Sequence, residues 1–340
     1  MSRYGGVGVL YNRARSVEAG GDGGIRDVEY RQLGNSGLKV SLAGLGTNNF
    51  GGRCDAAQTA SVINRAVDLG VNFIDTADVY GGALSEDYIG RAIKDHRRDL
   101  IIATKFEQTM GEGPLWSGAS RRYIMDAVQA SLKRLDVDYI DLYQVHFWDP
   151  ATPIEETMRA LDDLVHRGDV RYVGCSNFKA WQIIESQWVA RSEHLSPFIS
   201  AQNRCNLLDR EIEAEVVPAS QKYGLGVIPY SPLAGGFLTG KYRPGEPPPE
   251  GTRFAGAGRP GGGGARMLND KAFAGLTKLE KFADEHDHTV GELALAWLGS
   301  QPWVGSVIAG ATRPEQVDEN VRALEWRLTP DELKQLDEAI

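Results

Sequence analysis

The chain has 340 residues, 42% hydrophobic and 24% charged, enough apolar material for two ordinary domains or one large barrel. Its formal net charge is -9, without long blocks of one sign, which argues against nucleic acid or an anionic membrane surface and for a small-molecule partner. Cys54, Cys175 and Cys205 lack disulfide or zinc spacing, and neither a signal peptide nor a bilayer-length apolar run is present, so a metal-free cytoplasmic protein is expected.

Residues 1–27 are rich in Gly and Arg and have no clear period, which predicts a flexible N-terminal extension before a single domain over 28–340. Val28–Leu33 and Leu38–Leu42, joined through Gly34-Asn-Ser-Gly37, predict a β-hairpin. Strand and helix patterns then alternate. Ala43–Gly46 is followed by Ala57–Leu69, Phe73–Asp75 by Ser85–Lys94, Leu100–Lys105 by Arg121–Leu135, and Ile140–His146 by Pro153–Arg167. In the second half Val170–Ser176 precedes Ala180–Arg191 and Ile199–Asn203 precedes Glu211–Tyr223. Leu225–Tyr230 precedes a long loop and helices, and Val304–Ala309 precedes Pro314–Leu324. Eight such units predict an α/β fold, a (β/α)₈ TIM barrel with an N-terminal hairpin and an additional C-terminal helix, Asp331–Ala339. A doubly wound sheet is the alternative, weakened because no Gly-x-Gly-x-x-Gly follows the first strand. Arg243–Arg266, with Pro247-Pro-Pro249 and Gly261-Gly-Gly-Gly264, is the longest irregular stretch after the N-terminus and has the composition of a lid or insert.

The stretch Gly70-Val-Asn-Phe-Ile-Asp-Thr-Ala-Asp-Val-Tyr-Gly81 places Asp75 and Tyr80 just past a short buried strand. A phenol has a reference pKa of about 10, and it gives up its proton readily near neutrality only if a cation stabilises the phenolate. Lys105 ends the next apolar run, and a buried lysine needs a carboxylate such as Asp75 to stay charged. His146 ends the run after that, a group able to donate a hydrogen bond or relay a proton. In a (β/α)₈ barrel functional groups gather at these carboxyl ends. Taken alone, Asp75 and Lys105 also fit a structural ion pair, and Lys105 fits the Schiff-base lysine of a barrel aldolase. The aldolase reading leaves Tyr80 without a purpose.

From about Glu29 onward the chain resembles the aldo-keto reductases. The matching segments are the Gly70–Gly81 stretch, Ala-Thr-Lys105, Asp-Leu-Tyr-Gln-Val-His146, Gly-Cys-Ser-Asn177-Phe, Ala-Gln202-Asn and Pro-Tyr230-Ser-Pro-Leu. The resemblance implies an NADPH-dependent reductase of aldehydes or ketones with cofactor NADP(H). Tyr80 would be the general acid, Lys105 the group lowering its pKa, Asp75 the anchor of Lys105, and His146 the residue orienting the carbonyl oxygen. It further implies that Ser176, Asn177 and Gln202 contact the nicotinamide carboxamide and that Tyr230 stacks on the ring. Gly46 and Thr47 after the first barrel strand, and Ser231, Leu233, Gly235 and Lys241 in the loop after Tyr230, would also line the cofactor site. Thr312, Arg313, Gln316 and Asn320 would hold the adenosine end, together with Gly310. Gly310 and Gln316 stand where Lys and Arg are common in other branches, so Arg313 would carry most of the discrimination for a 2'-phosphate. Phe50 and Trp148 are the expected substrate-pocket residues, and Trp148 also fits simple packing beside its loop.

Two rival functions are compatible with the resemblance: a cofactor-bound regulatory or binding subunit, and an NAD-linked sugar or polyol dehydrogenase. A homo-oligomer is compatible as well. Cys175 reads as a small core residue, and His286 and His288 read as surface residues.

Overall fold

The computed structural model describes residues 28–255 and 268–339. The 1–27 extension and the distal part of the 243–266 loop lie outside the described residues. β1 (Tyr30–Gln32) and β2 (Lys39–Ser41) form the expected antiparallel hairpin. Its turn needs Gly34, which sits at φ +58°, where an added Cβ would come within 2.4 Å of the Gly224 carbonyl.

Eight parallel strands follow in one sheet. They are β3 (Ala43–Gly46), β4 (Phe73–Asp75), β5 (Ile101–Phe106), β6 (Ile140–Val145), β7 (Val170–Ser176), β8 (Phe198–Gln202), β9 (Gly226–Val227) and β10 (Val307–Gly310). Neighbours pair in sequence order, and β10 returns to β3. Parallel bridges Val227↔Val304 and Tyr230↔Ile308 join the remaining edges, so the sheet closes into a (β/α)₈ TIM barrel. The helices between strands are α1 (Ala56–Asp68), α2 (Leu84–Ala92), α3 (Arg121–Leu135), α4 (Ile154–Arg167), α5 (Ala180–Glu193) and α6 (Val216–Tyr223). Further on come α7 (Asp270–Asp284), α8 (Val290–Gly299), α9 (Pro314–Ala323) and the additional C-terminal α10 (Pro330–Ala339).

Two expected elements are cut short at a proline. Leu225–Tyr230 pairs as a strand only at Gly226–Val227, because Pro229 has no N–H to donate to a ladder. Glu211–Tyr223 splits into a 3₁₀ turn at Glu211–Glu213 and an α-helix starting at Val216. Pro218 accounts for the split: it is tolerated in the first turn of the shorter helix and would interrupt a longer one.

The core has two compartments. A large cluster fills the space between sheet and helices. A smaller one inside the barrel contains Phe73, Ile101, Ala103, Leu142, Ile228 and Ile308, with Leu33 and Val40 of the hairpin. Side chains alternate across a strand, so the residues two positions after Phe73, Ala103 and Leu142 also point inward. These are Asp75, Lys105 and Gln144, a polar layer directly above an apolar floor.

Candidate active site

Lys105 is fully buried, and its ammonium donates to Asp75 Oδ2 and to the Thr76 carbonyl, each at 2.7 Å. The other Asp75 oxygen accepts from Gln202 Nε2 at 2.7 Å and from Gln144 Nε2 at 3.3 Å. Burial works against the Lys105 charge, but Asp75 and Tyr80 outweigh it and hold the pKa above the ordinary lysine value. The ammonium lies 5.3 Å from the centre of the Tyr80 ring. Burial is the largest influence on the Tyr80 phenol and raises its pKa; Lys105 opposes it without reversing it. The resting group is thus a protonated phenol beside a fixed cation.

His146 lies edge-on to Tyr80, with ring centres 6.0 Å apart. Its backbone N–H donates to Phe106, which ties the loop after β6 to the end of β5. Burial, helped by the charge of Lys105, pushes the imidazole pKa down to about 3, so the ring is neutral at physiological pH. Ser176, Asn177 and Tyr230 are linked side by side. Asn177, at φ +58°, donates to the His146 carbonyl and to Ser176 Oγ and accepts from the Tyr230 hydroxyl at 2.7 Å.

Tyr80, His146, Ser176, Asn177 and Tyr230 line an open cleft of about 570 Å³ at the carboxyl ends of the strands. Gly46, Thr47, Ser231, Leu233, Gly235, Gly310, Thr312 and Gln316 line it too, and Lys105 is bonded to Asp75 in its wall. Thr47 Oγ1 donates to the Asp75 carbonyl at 2.9 Å, and Gln316 Oε1 accepts from both the N–H and the hydroxyl of Thr312.

Four cations, Arg53, Lys241, Arg253 and Arg313, line the same cleft. Burial lowers the Lys241 pKa, and the charges of Arg53, Arg253 and Arg313 lower it further. Arg313 is met by Glu315 at 3.7 Å and Glu319 at 3.8 Å, both on the exposed side of α9. Converging like charges call for an anion. Gly235 and Gly236 take φ +69° and +92°, and a Cβ on Gly236 would stand 2.8 Å from the Lys241 ammonium, so the chain can turn tightly there only without side chains. A cleft lined both by cations and glycines and by aromatic, hydrogen-bonding groups has the chemistry to hold a dinucleotide.

Several sequence expectations need correction. Phe50 is fully buried and does not line the cleft. The tight turn that brings its N–H to the Thr47 carbonyl directs the ring into the core between sheet and helices. Trp148 packs edge-on against Phe178 and Trp181 instead of lining the cleft; the aromatic that does so is Phe147, stacked on His146 with centres 5.0 Å apart. Asn320, two turns into α9, is not among the lining residues. Gln202, by contrast, does line the cleft, with its Nε2 donating to Asp75. His286 and His288 are half-buried and packed: His288 stacks on Trp326 at 3.9 Å, and His286 stacks on Phe282 at 4.5 Å.

Sequence reasoning did not single out Arg53 and Arg253. Arg53 donates to the Gly251 carbonyl at 2.6 Å, and Arg253 donates to Asn48 at 3.2 Å and Asn49 at 3.4 Å, so Glu250–Arg253 crosses the cleft as a strap. Asp78 was also missed. It is 1% exposed, no well-formed hydrogen bond reaches either oxygen among the described residues, and burial with repulsion from Glu86 raises its pKa to about 8. Glu86, fully buried, accepts from Thr104 and from Arg134 at 2.6 Å each.

The Aldo/keto reductase family profile matches residues 43–340. A probable voltage-gated potassium channel subunit beta of Arabidopsis thaliana is 39% identical over 320 residues, covering 92% of this chain and 97% of the relative. L-glyceraldehyde 3-phosphate reductase of Escherichia coli K12 is 34% identical over 328 residues, 92% of each chain. The oxidoreductase YrpG of Bacillus subtilis is 34% identical over 325 residues, 92% of this chain and 95% of the relative. The chain belongs to the aldo/keto reductase family. It is an NAD(P)H-dependent oxidoreductase, and no described helix is long and apolar enough to cross a membrane.

Proposed function

We propose that the protein reduces an aldehyde or ketone to an alcohol with NADPH, with Tyr80 as proton donor. The observation that carries this reading is that Tyr80, neutral His146 and Asp75, paired with buried Lys105, line the same cleft as Arg53, Lys241, Arg253 and Arg313. A bound nicotinamide coenzyme supplies the hydride.

Tyr80 gives its proton to the carbonyl oxygen as negative charge develops there. Lys105 stabilises the phenolate left behind: two of its three N–H groups go to Asp75 and Thr76, and the third is free for the phenol oxygen. Asp75 keeps the lysine charged, while Gln144 and Gln202 hold the second carboxylate oxygen and stop the pair from turning. His146, neutral, donates a hydrogen bond to the same carbonyl oxygen and fixes its direction. Thr47, Ser176, Asn177 and Tyr230 form the wall for the planar ring. Lys241, Arg53 and Arg253 suit the bridging phosphates, and Arg313 suits the 2'-phosphate that separates NADP from NAD.

A second reading is favoured by the plant relatives named as potassium channel subunits: a protein that binds NADPH and acts chiefly through a partner. Purified protein incubated with NADPH or NADH and 4-nitrobenzaldehyde separates the two. Aldehyde-dependent loss of NADPH absorbance, faster than that of NADH, supports the reductase. Tight NADPH binding without turnover of this or a panel of other aldehydes and ketones supports the partner-dependent role.

A further inference from the structure

α5 is turned the opposite way from what its residue types would choose. It buries Gln182, Ser186 and Gln187 together with Ile183 and Val189, and it leaves Trp181, Ile184 and Trp188 54%, 39% and 65% exposed. A surface helix ordinarily puts its polar residues outward and its aromatic ones inward. The buried polar groups hold α5 in this orientation. Gln187 donates from Nε2 to the Phe198 carbonyl at 2.9 Å and accepts from the Phe198 N–H at 3.1 Å, which ties the helix to the start of β8. Gln182 Oε1 accepts from the Lys179 N–H at 2.7 Å, and Ser186 Oγ donates to the Gln182 carbonyl at 2.8 Å. All three have partners, and turning the helix over would strand them.

The outward residues are spaced by three and four positions, so they form one stripe about 10 Å long. Trp181 is braced from one side: its ring meets Trp148 edge-on at 5.2 Å, and Trp148 meets Phe178 edge-on at 5.3 Å. The stripe exposes roughly 350 Å² of side chain, the size of the largest apolar patch on a typical monomer, and tryptophans held this way make good anchors for an interface. No other helix among the described residues exposes more than one large apolar side chain.

The layout of the stripe selects a second copy of the chain as its occupant. With a tryptophan at each end and an isoleucine between, it complements itself when two helices meet antiparallel: Trp181 faces the partner's Trp188, Trp188 faces the partner's Trp181, and the two isoleucines meet at the axis. The ends agree in charge. Exposed Lys179 precedes the helix and Glu193, bonded to Arg159 of α4, closes it, so antiparallel pairing brings Lys179 toward a carboxylate and opposes the two helix dipoles. A stable interface buries about 800 Å² per partner; the stripe supplies somewhat under half of that as an apolar centre, and the polar surfaces of α4 and α6, which flank α5, supply a rim. We propose that α5 is the interface of a two-fold symmetric homodimer, with Trp181, Ile184 and Trp188 at its centre. The proposal does not depend on the reaction the cleft performs.

The test is sedimentation velocity of the full chain over a range of concentrations, in wild type and Trp188→Glu. Wild type is expected to sediment as a pair of chains. Trp188→Glu puts a charge at the centre of the contact and should raise the dissociation constant at least about a hundredfold, leaving single chains with an unchanged circular dichroism spectrum. Orientation is read by crosslinking. Cys54, Cys175 and Cys205 are buried, so under mild oxidation Ile184→Cys should form a disulfide between two chains, whereas Lys179→Cys should not. If Trp188→Glu fails to fold, the crosslinking decides the case alone. Wild type that stays a single chain at every concentration would overturn the proposal, including the case in which a different protein is found on this face. So would a dimer that survives Trp188→Glu, or one that crosslinks through Lys179→Cys and not through Ile184→Cys. A larger wild-type assembly supports the proposal if Trp188→Glu halves it and Ile184→Cys crosslinks, and overturns it otherwise.

Discussion

Replacing Lys105 by Met keeps the length of the side chain and removes its charge from a fully buried position. The ammonium is 0% exposed and 2.7 Å from Asp75 Oδ2. At an effective dielectric of about 20 the gross attraction at 2.7 Å is ~6 kcal/mol, most of it offset by the cost of taking both ions out of water. The intact pair thus contributes little net stability, while removal of one member strands the other at a cost of about 3–5 kcal/mol. Gln144 and Gln202 still donate to the stranded Asp75, so the lower end of that range is expected. Adding Asp75→Asn to Lys105→Met removes the stranded charge and should recover more than half of the loss. Urea unfolding of wild type, both single variants and the double variant at neutral pH gives the four stabilities. If the two single losses simply add in the double variant, within about 0.5 kcal/mol, the pair is not coupled and the reasoning fails.

Arg313→Ala should raise the KM for NADPH about tenfold, the worth of one charge-assisted hydrogen bond, and leave that for NADH nearly unchanged; equal effects would place the 2'-phosphate elsewhere. Asp78→Asn should remove a pH-dependent loss of stability. The folded pKa of about 8 stands above an ordinary aspartate, so stability is full below the unfolded pKa and declines as pH rises toward 8, by at most roughly 4 kcal/mol at neutrality. Thermal unfolding from pH 5 to 8 should then fall more steeply in wild type than in the variant, and parallel profiles would contradict this. Gly236→Ala forces a side chain onto φ +92° and against the Lys241 ammonium, so coenzyme affinity should weaken severalfold in a fluorescence titration. Unchanged affinity would mean that Lys241 does not reach the phosphates.

What was legible in the sequence follows from periodicity. Alternation along β4, β5 and β6 is short and regular, and it carries Asp75, Lys105 and His146 to one barrel end together with Gln144. Tyr80 lies five residues past β4, close enough for the strand end to position it. Direction is lost once the chain leaves a strand. Phe50 turns into the core at a tight turn, and Trp148 folds over Phe178 while Phe147 takes the cleft. Gln108, whose amide nitrogen lies 3.3 Å from His146 Nδ1, follows Glu107, whose φ of +110° no composition rule would suggest for a glutamate. Arg53 and the Gly251 carbonyl are 198 positions apart and meet through two irregular loops, so no local pattern joins them. Asp78 looks like an ordinary loop aspartate in sequence; only the structure shows that its carboxyl group is buried beside Glu86.

The central claim is that hydride passes from the coenzyme to a carbonyl carbon while Tyr80 supplies the proton. The most direct measurement is a single turnover with nicotinamide-deuterated NADPH and 4-nitrobenzaldehyde, in wild type and Tyr80→Phe, with product analysed by mass spectrometry. The account predicts one deuterium on the alcohol carbon in wild type and a rate lower by orders of magnitude in Tyr80→Phe, with NADPH binding equal in both. Label transfer at the same rate in Tyr80→Phe would contradict it.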